Sequence, residues 1–126
     1  MKALTGDQGL DVCVENIGGT LFTTLARLMR WNGRLMPIGF TSGEVPSLAM
    51  NLPLLKNYSI VGVFIGLWKE RFPDDASRAA ETVMGWVGEG KLRPHIDRVL
   101  PLEHAVEAMS AIANRSTQGR IVLRVR

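Results

Sequence analysis

The sequence has 126 residues, 46% of them hydrophobic and 21% charged, with a formal net charge of +3. That is one domain's worth of chain, or pieces of two, and it is apolar enough to bury a core. No apolar run approaches the roughly 20 residues that a membrane span needs. The basic residues are scattered rather than blocked, which argues against a nucleic-acid partner. Met1-Lys2-Ala3-Leu4-Thr5-Gly6 turns polar at once and lacks the apolar core of a signal peptide. A cytoplasmic location with no membrane contact is therefore expected. Cys13 is the only cysteine, which excludes an internal disulfide and a cysteine-based zinc site. Among apolar neighbours it reads as a buried strand thiol.

In chain order, Asp11–Asn16 reads as a strand. Gly18-Gly19-Thr20 then opens a helix in which Leu21, Phe22, Leu25, Leu28 and Met29 recur at helical spacing. Trp31-Asn32-Gly33 closes that helix, with Gly33 suited to the left-handed position after a helix end. Arg34–Gly39 is the next strand. Pro37 inside it has no N–H to donate, so that position either faces a bulge or pairs on one side only. Two apolar runs that each stop at a glycine, with a helix between them, make a βαβ unit with strands buried on both faces. In open parallel sheets, ligands bind beyond the carboxyl ends of such strands.

Thr41–Pro46 is a loop, and Asn51 fits the N-cap of a short helix, Leu52–Asn57, with Pro53 in its first turn. Tyr58–Ile65 is the most β-prone segment. Pro73-Asp74-Asp75 starts a longer helix with acidic groups at its positive end. Its apolar stripe is Ala76, Ala79, Ala80, Val83, Met84 and Val87, and Gly88 and Gly90 stop it. Lys91–His95 is an extended connector. Ile96–Leu100 reads as a short strand, and Pro101 precedes a helix with Leu102, Ala105, Val106, Met109, Ile112 and Ala113 on one face. Arg120–Val125 is a final strand. The fold class is α/β, with a division into residues 1–90 and 91–126.

The runs that carry a resemblance are Asp11-Val12-Cys13-Val14-Glu15-Asn16-Ile17-Gly18-Gly19, Gly33-Arg34-Leu35-Met36-Pro37-Ile38-Gly39-Phe40 and Leu54–Val63. Gly90-Lys91-Leu92-Arg93-Pro94-His95-Ile96 and Gly119-Arg120-Ile121-Val122-Leu123 complete the set. In this order they resemble the C-terminal part of the medium-chain dehydrogenase/reductase superfamily, within its zinc-free NADPH:quinone oxidoreductase, zeta-crystallin-like branch. The resemblance implies a partial Rossmann-type parallel sheet, the last three strands of the doubly wound nucleotide-binding domain, with helices on its faces. Residues 91–126 would then be a strand-helix-strand segment that returns to the catalytic domain.

The implied activity is hydride transfer from NADPH to a quinone or another small-molecule acceptor, with no zinc in this chain. The alternative is a catalytically inactive half-domain that dimerises or binds nucleotide. By the same resemblance, Gly18 and Gly19 approach the cofactor's ribose and pyrophosphate. Ile38, Gly39 and Phe40 lie beneath the nicotinamide, and Val63, Phe64 and Ile65 meet its carboxamide. No catalytic side chain is implied. Glu15 beside Asn16 reads as a hydrogen-bonded strand-end pair, with a ribose contact as the alternative. His95 and His104 read as surface residues. The resemblance also places Tyr58–Ile65 at the sheet edge, where a long apolar strand needs cover, so a homodimer through this strand is expected.

Overall fold

The computed structural model describes residues 5–126, and Met1–Leu4 of the polar N-terminal segment lie outside it. The chain divides into two compact units, Met1–Pro73 and Asp74–Arg126.

In the first unit, β1 (Leu10–Glu15), α1 (Gly19–Leu28) and β2 (Met29–Pro37) form the expected βαβ unit. A short strand β3 (Ser59–Ile60) completes a parallel sheet of order β1-β2-β3. Cys13, Phe22, Leu25, Ala26, Met29, Leu35 and Tyr58 form the core between the sheet and α1. Met29 and Leu35 are fully buried, each worth about 1.5–3 kcal/mol of transfer free energy. α2 (Asn51–Lys56) lies on the same side, with Leu52 against this core. Its Lys56 Nζ donates to the Arg27 and Met29 carbonyls at the end of α1, a cation placed at the negative helix end.

Several sequence expectations need correction here. The strands are not buried on both faces: Val12 and Val14, on the face away from α1, are 56% and 61% exposed. Both helices of this unit that pack on the core, α1 and α2, lie on the other side. The chain after α1 does not close on a left-handed Gly33. Leu10 pairs with Met29 but Val12 pairs with Arg34, so β2 bulges between them. The left-handed residue in that bulge is Asn32, at φ 61°, and its side chain accepts a hydrogen bond from Asn57 at 2.6 Å. Gly33 is needed for a different reason. A Cβ there would lie 2.8 Å from the Leu10 carbonyl oxygen.

The cap of α2 is Met50, with no side-chain hydrogen bond, and Asn51 is already helical. Asn57, expected as its last residue, is instead the left-handed C-cap. The expected strand Tyr58–Ile65 shrinks to Ser59–Ile60, and Ile65 begins a helix, α3 (Ile65–Arg71), that the periodicity did not reveal. Pro37 supplies part of the reason. Its carbonyl accepts from Val63 N and its neighbour Ile38 N donates to Glu15 O. On the β3 side the proline has no donor to return, so the ladder lapses there. Pro37 is in register with Glu15 of β1 and still accepts from Val63 N on the other side, and the bulge lies at the start of the strand.

The second unit contains all but the first residue of α4 (Pro73–Gly88), with β4 (Ile96–Pro101), α5 (Ala105–Ala113) and β5 (Arg120–Arg124). β4 and β5 pair in parallel across α5, and a single 3-10 turn, Leu102–His104, leads into that helix. The stripe of α4 is not buried: Val83 and Met84 are exposed, and no residue of the helix is buried.

Candidate functional site

The carboxyl ends of the three parallel strands are held side by side by their own backbones. Ile38 N donates to Glu15 O at 2.8 Å, and Val61 N and Val63 N donate to Leu35 O and Pro37 O at 2.9 and 3.1 Å. Beyond β2 the chain folds back over the β1 exit. Thr41 N donates to Asn16 O (2.8 Å), Ser42 N to Ile17 O (2.9 Å), and Gly19 N to Glu44 O (3.1 Å). The segment Phe40–Glu44 is thus strapped across the Asn16–Gly19 turn.

An apolar groove of about 570 Å³ opens at these exits, lined by Pro37, Ile38, Gly39, Phe40, Gly62, Val63 and Phe64. Five of the eight sequence-predicted residues, Ile38, Gly39, Phe40, Val63 and Phe64, meet in it. Phe64 is 73% exposed at the groove, and Phe40 is 40% exposed. Ile65 lies in an adjoining hollow with Gly62, Val63, Phe64 and Trp68. Gly39 is open: a Cβ there would have only the Asn16 carbonyl oxygen nearby, at 4.0 Å.

Gly18 and Gly19 stand apart from the groove. Gly18 is buried under the strap, and a Cβ on it would meet the Glu44 carbonyl oxygen at 2.5 Å and the Phe40 ring at 3.1 Å. Gly19 lines a separate hollow with Thr20, Thr23 and Glu44. Both amides are engaged within the chain, that of Gly18 by Glu15 and that of Gly19 by Glu44. In this structure these two glycines serve chain packing.

Two features were not read from the sequence. Glu15 is 3% exposed, and its Oε1 accepts from Ile17 N at 2.6 Å and Gly18 N at 2.9 Å. Its partner is therefore the turn rather than Asn16. A carboxylate two and three residues ahead of a glycine turn is the signal that was available. The second is Trp68, whose ring lies 6.4 Å from that of Phe72; the i, i+4 aromatic spacing marks α3. Burial, and then the Glu15 carboxylate, push the Cys13 thiol above its ordinary range, which disfavours the reactive thiolate. A more enclosed hollow at the amino ends of the strands includes Gly9, Arg27 and Lys56. There the Lys56 ammonium is already committed to backbone carbonyls.

Parallel strands crossed by helices, with a groove at their carboxyl ends, are the architecture of a doubly wound, Rossmann-like α/β sheet. The chain belongs to the zinc-binding dehydrogenase family, whose model it matches over residues 1–123. It is 32% identical over 124 residues to a quinone oxidoreductase-like protein 2 homolog of Nematostella vectensis, covering 98% of this chain and 34% of that protein. It is 31% identical over 120 residues to quinone oxidoreductase-like protein 2 of Bos taurus, covering 95% and 34%. Among solved structures, an NAD-dependent alcohol dehydrogenase superposes with a TM-score of 0.73 at 28% identity, over 99% of this chain and 34% of that one. The mycobacterial protein Rv1454c complexed with NADPH shares the fold, with a TM-score of 0.76 at 21% identity, over 98% and 38%. The chain thus spans about a third of the length of the relatives it matches.

The family description names zinc. Among the described residues, no group of three or more His, Cys, Asp or Glu is placed to hold a metal ion, so these residues do not fit that role. Among the described residues, too, no helix is long and apolar enough to cross a membrane.

Proposed function

We propose that this chain is the nicotinamide-holding portion of an NADPH-dependent oxidoreductase of the quinone reductase type, acting on a quinone or another activated carbonyl or enone acceptor. The observation that carries this reading is the groove at the strand exits, where Ile38-Gly39-Phe40 face Val63-Phe64 across an apolar floor. A flat, weakly polar heteroaromatic ring suits such a lining. When bound, the reduced nicotinamide supplies the hydride. The protein's part is positional: Gly39 leaves room for close approach, and Phe40 and Phe64 exclude water from the ring. The names of the relatives support the reaction class.

Titration calorimetry with NADPH, and with NADH for comparison, tests the reading on the parent chain and on Gly39→Val. Saturable NADPH binding by the parent that the variant loses while remaining folded is the expected result. Equal binding by both would remove the groove from the site.

A second reading concerns assembly. Ile60, Val61, Phe64 and Ile65 leave apolar surface exposed along the β3 side of the sheet, which favours a two-fold partner on that edge. Sedimentation of Val63→Lys and Ile65→Lys decides it. Monomer or aggregate is expected, and an unchanged dimer would refute it.

A further inference from the structure

Glu15 is the one buried charged residue among the described residues, and no step of the proposed reaction uses it. Its Oε1 gathers two backbone N–H groups, of Ile17 and Gly18, at 2.6 and 2.9 Å. Its Oε2 is buried with no hydrogen-bond partner among the described residues. A buried carboxyl group bonded through one oxygen only carries a desolvation cost, so what that oxygen holds is the informative part.

What Oε1 holds points to that property. The Ile17–Gly18 amides it fixes belong to the turn whose carbonyls receive Thr41 N and Ser42 N. Gly18, the second residue it grips, is the one against which the Phe40 side chain packs, with 3.1 Å between the Phe40 ring and a Cβ built on Gly18. Phe40 in turn lines the apolar groove. A continuous path therefore runs from Glu15 through the turn to the ring at the groove wall. We propose that Glu15 is a positioning residue: it pins the Asn16–Gly19 turn and thereby sets the place of Phe40 in the groove. The part concerning the cofactor rests on the NADPH reading above, and the part concerning the strap stands by itself.

The charge is not what the role requires. An amide oxygen accepts the same two N–H groups, so Glu15→Gln keeps the pin, whereas Glu15→Ala removes it and Glu15→Asp draws the acceptor back by one methylene. Amide hydrogen exchange, read residue by residue by NMR, and NADPH titration are applied to the parent and the three variants.

The expected result is that Glu15→Ala speeds exchange at Ile17, Gly18, Thr41 and Ser42 by up to about tenfold, in line with losing the net contribution of a hydrogen bond. Val61 and Val63, bonded to β2 instead, stay as in the parent. Glu15→Asp shows the same pattern more weakly, which keeps the test open if the alanine variant does not fold. Glu15→Gln restores parent exchange, and NADPH affinity follows the same order. Faster exchange spread equally over Val61 and Val63, or no rescue by glutamine, overturns the proposal. A parent chain that binds no NADPH counts against the nicotinamide reading alone, because the exchange pattern still decides whether Glu15 pins the strap.

Discussion

Gly18→Ala should cost this chain several times what an alanine costs at the other glycines near the groove. Gly18 sits at φ 80°, ψ −157°, a region that only glycine occupies readily, and a side chain held there costs about 1–3 kcal/mol. The added methyl also lands 2.5 Å from the Glu44 carbonyl oxygen. That oxygen is on the backbone and cannot rotate away, so the strap has to lift. Lifting it breaks the bond from Gly19 N to Glu44 O, worth about 0.5–1.5 kcal/mol net. The sum is about 1.5–4.5 kcal/mol, a large share of the roughly 5–15 kcal/mol that a domain typically has.

Urea unfolding followed by tryptophan fluorescence and circular dichroism measures the cost. Gly62→Ala and Gly39→Ala are the controls. Gly62 has nothing within 4 Å of its Cβ position, Gly39 has a single oxygen at 4.0 Å, and neither has a φ in the left-handed region. Both should fall within about 0.5 kcal/mol of the parent. A loss below about 1 kcal/mol for Gly18→Ala, or a loss equal to it in either control, would refute the account of the strap.

Other outcomes follow from single groups. Leu35→Ala empties a fully buried position in the centre of the sheet and should cost about 2–5 kcal/mol in the same urea assay. The Arg98 guanidinium, hydrogen-bonded to Asp97, is the main cause that holds this carboxyl below its ordinary value of 3.8, and the Gln118 amide adds to it. A lowered folded value means that the stabilisation is present above about pH 4 and lost as pH falls through that lowered value. Thermal melts from pH 6 to pH 2 should show a loss for the parent that is smaller in Asp97→Asn, with the variant melting lower than the parent at pH 6. The native Cys13 thiol should react with a thiol reagent far more slowly than the urea-unfolded chain at pH 8, because burial and Glu15 both disfavour the thiolate.

Much of the fold was legible because its cues are local. The apolar runs at β1 and β2, the 3.6-residue period of α1 and the acidic start of α4 each specify their element without help. What was not legible depended on partners far along the chain. The β-branched and aromatic run Tyr58–Ile65 has strand propensity throughout, yet only Ser59–Ile60 pairs regularly, because propensity in a strand is realised against a neighbour. The neighbour here carries Pro37. Asn32 takes the left-handed position that Gly33 seemed suited for, since the bulge needs Gly33 where β1 passes closest. At the groove, Ile38, Gly39, Phe40, Val63 and Phe64, which the family resemblance had singled out, lie together because strand exits converge in a parallel sheet. The engagement of Gly18 and Gly19 by the strap was not found, since it depends on where a loop residue, Glu44, comes to rest.

These contrasts separate two kinds of glycine that look alike in a sequence. Gly18 and Gly33 are required by the protein itself: remove the glycine and a backbone oxygen is struck. Gly39 is required by nothing in the chain, and a methyl there would enter open space at the groove. A position that the fold leaves free, between Ile38 and Phe40 and opposite Val63 and Phe64, is where a binding defect can be produced without a folding defect. If the proposed groove holds the nicotinamide, substitutions at Gly39 should act on affinity with stability kept, whereas those at Gly18 should act on stability. That difference follows from what meets the added Cβ: the Glu44 carbonyl oxygen at Gly18, and little but open groove at Gly39.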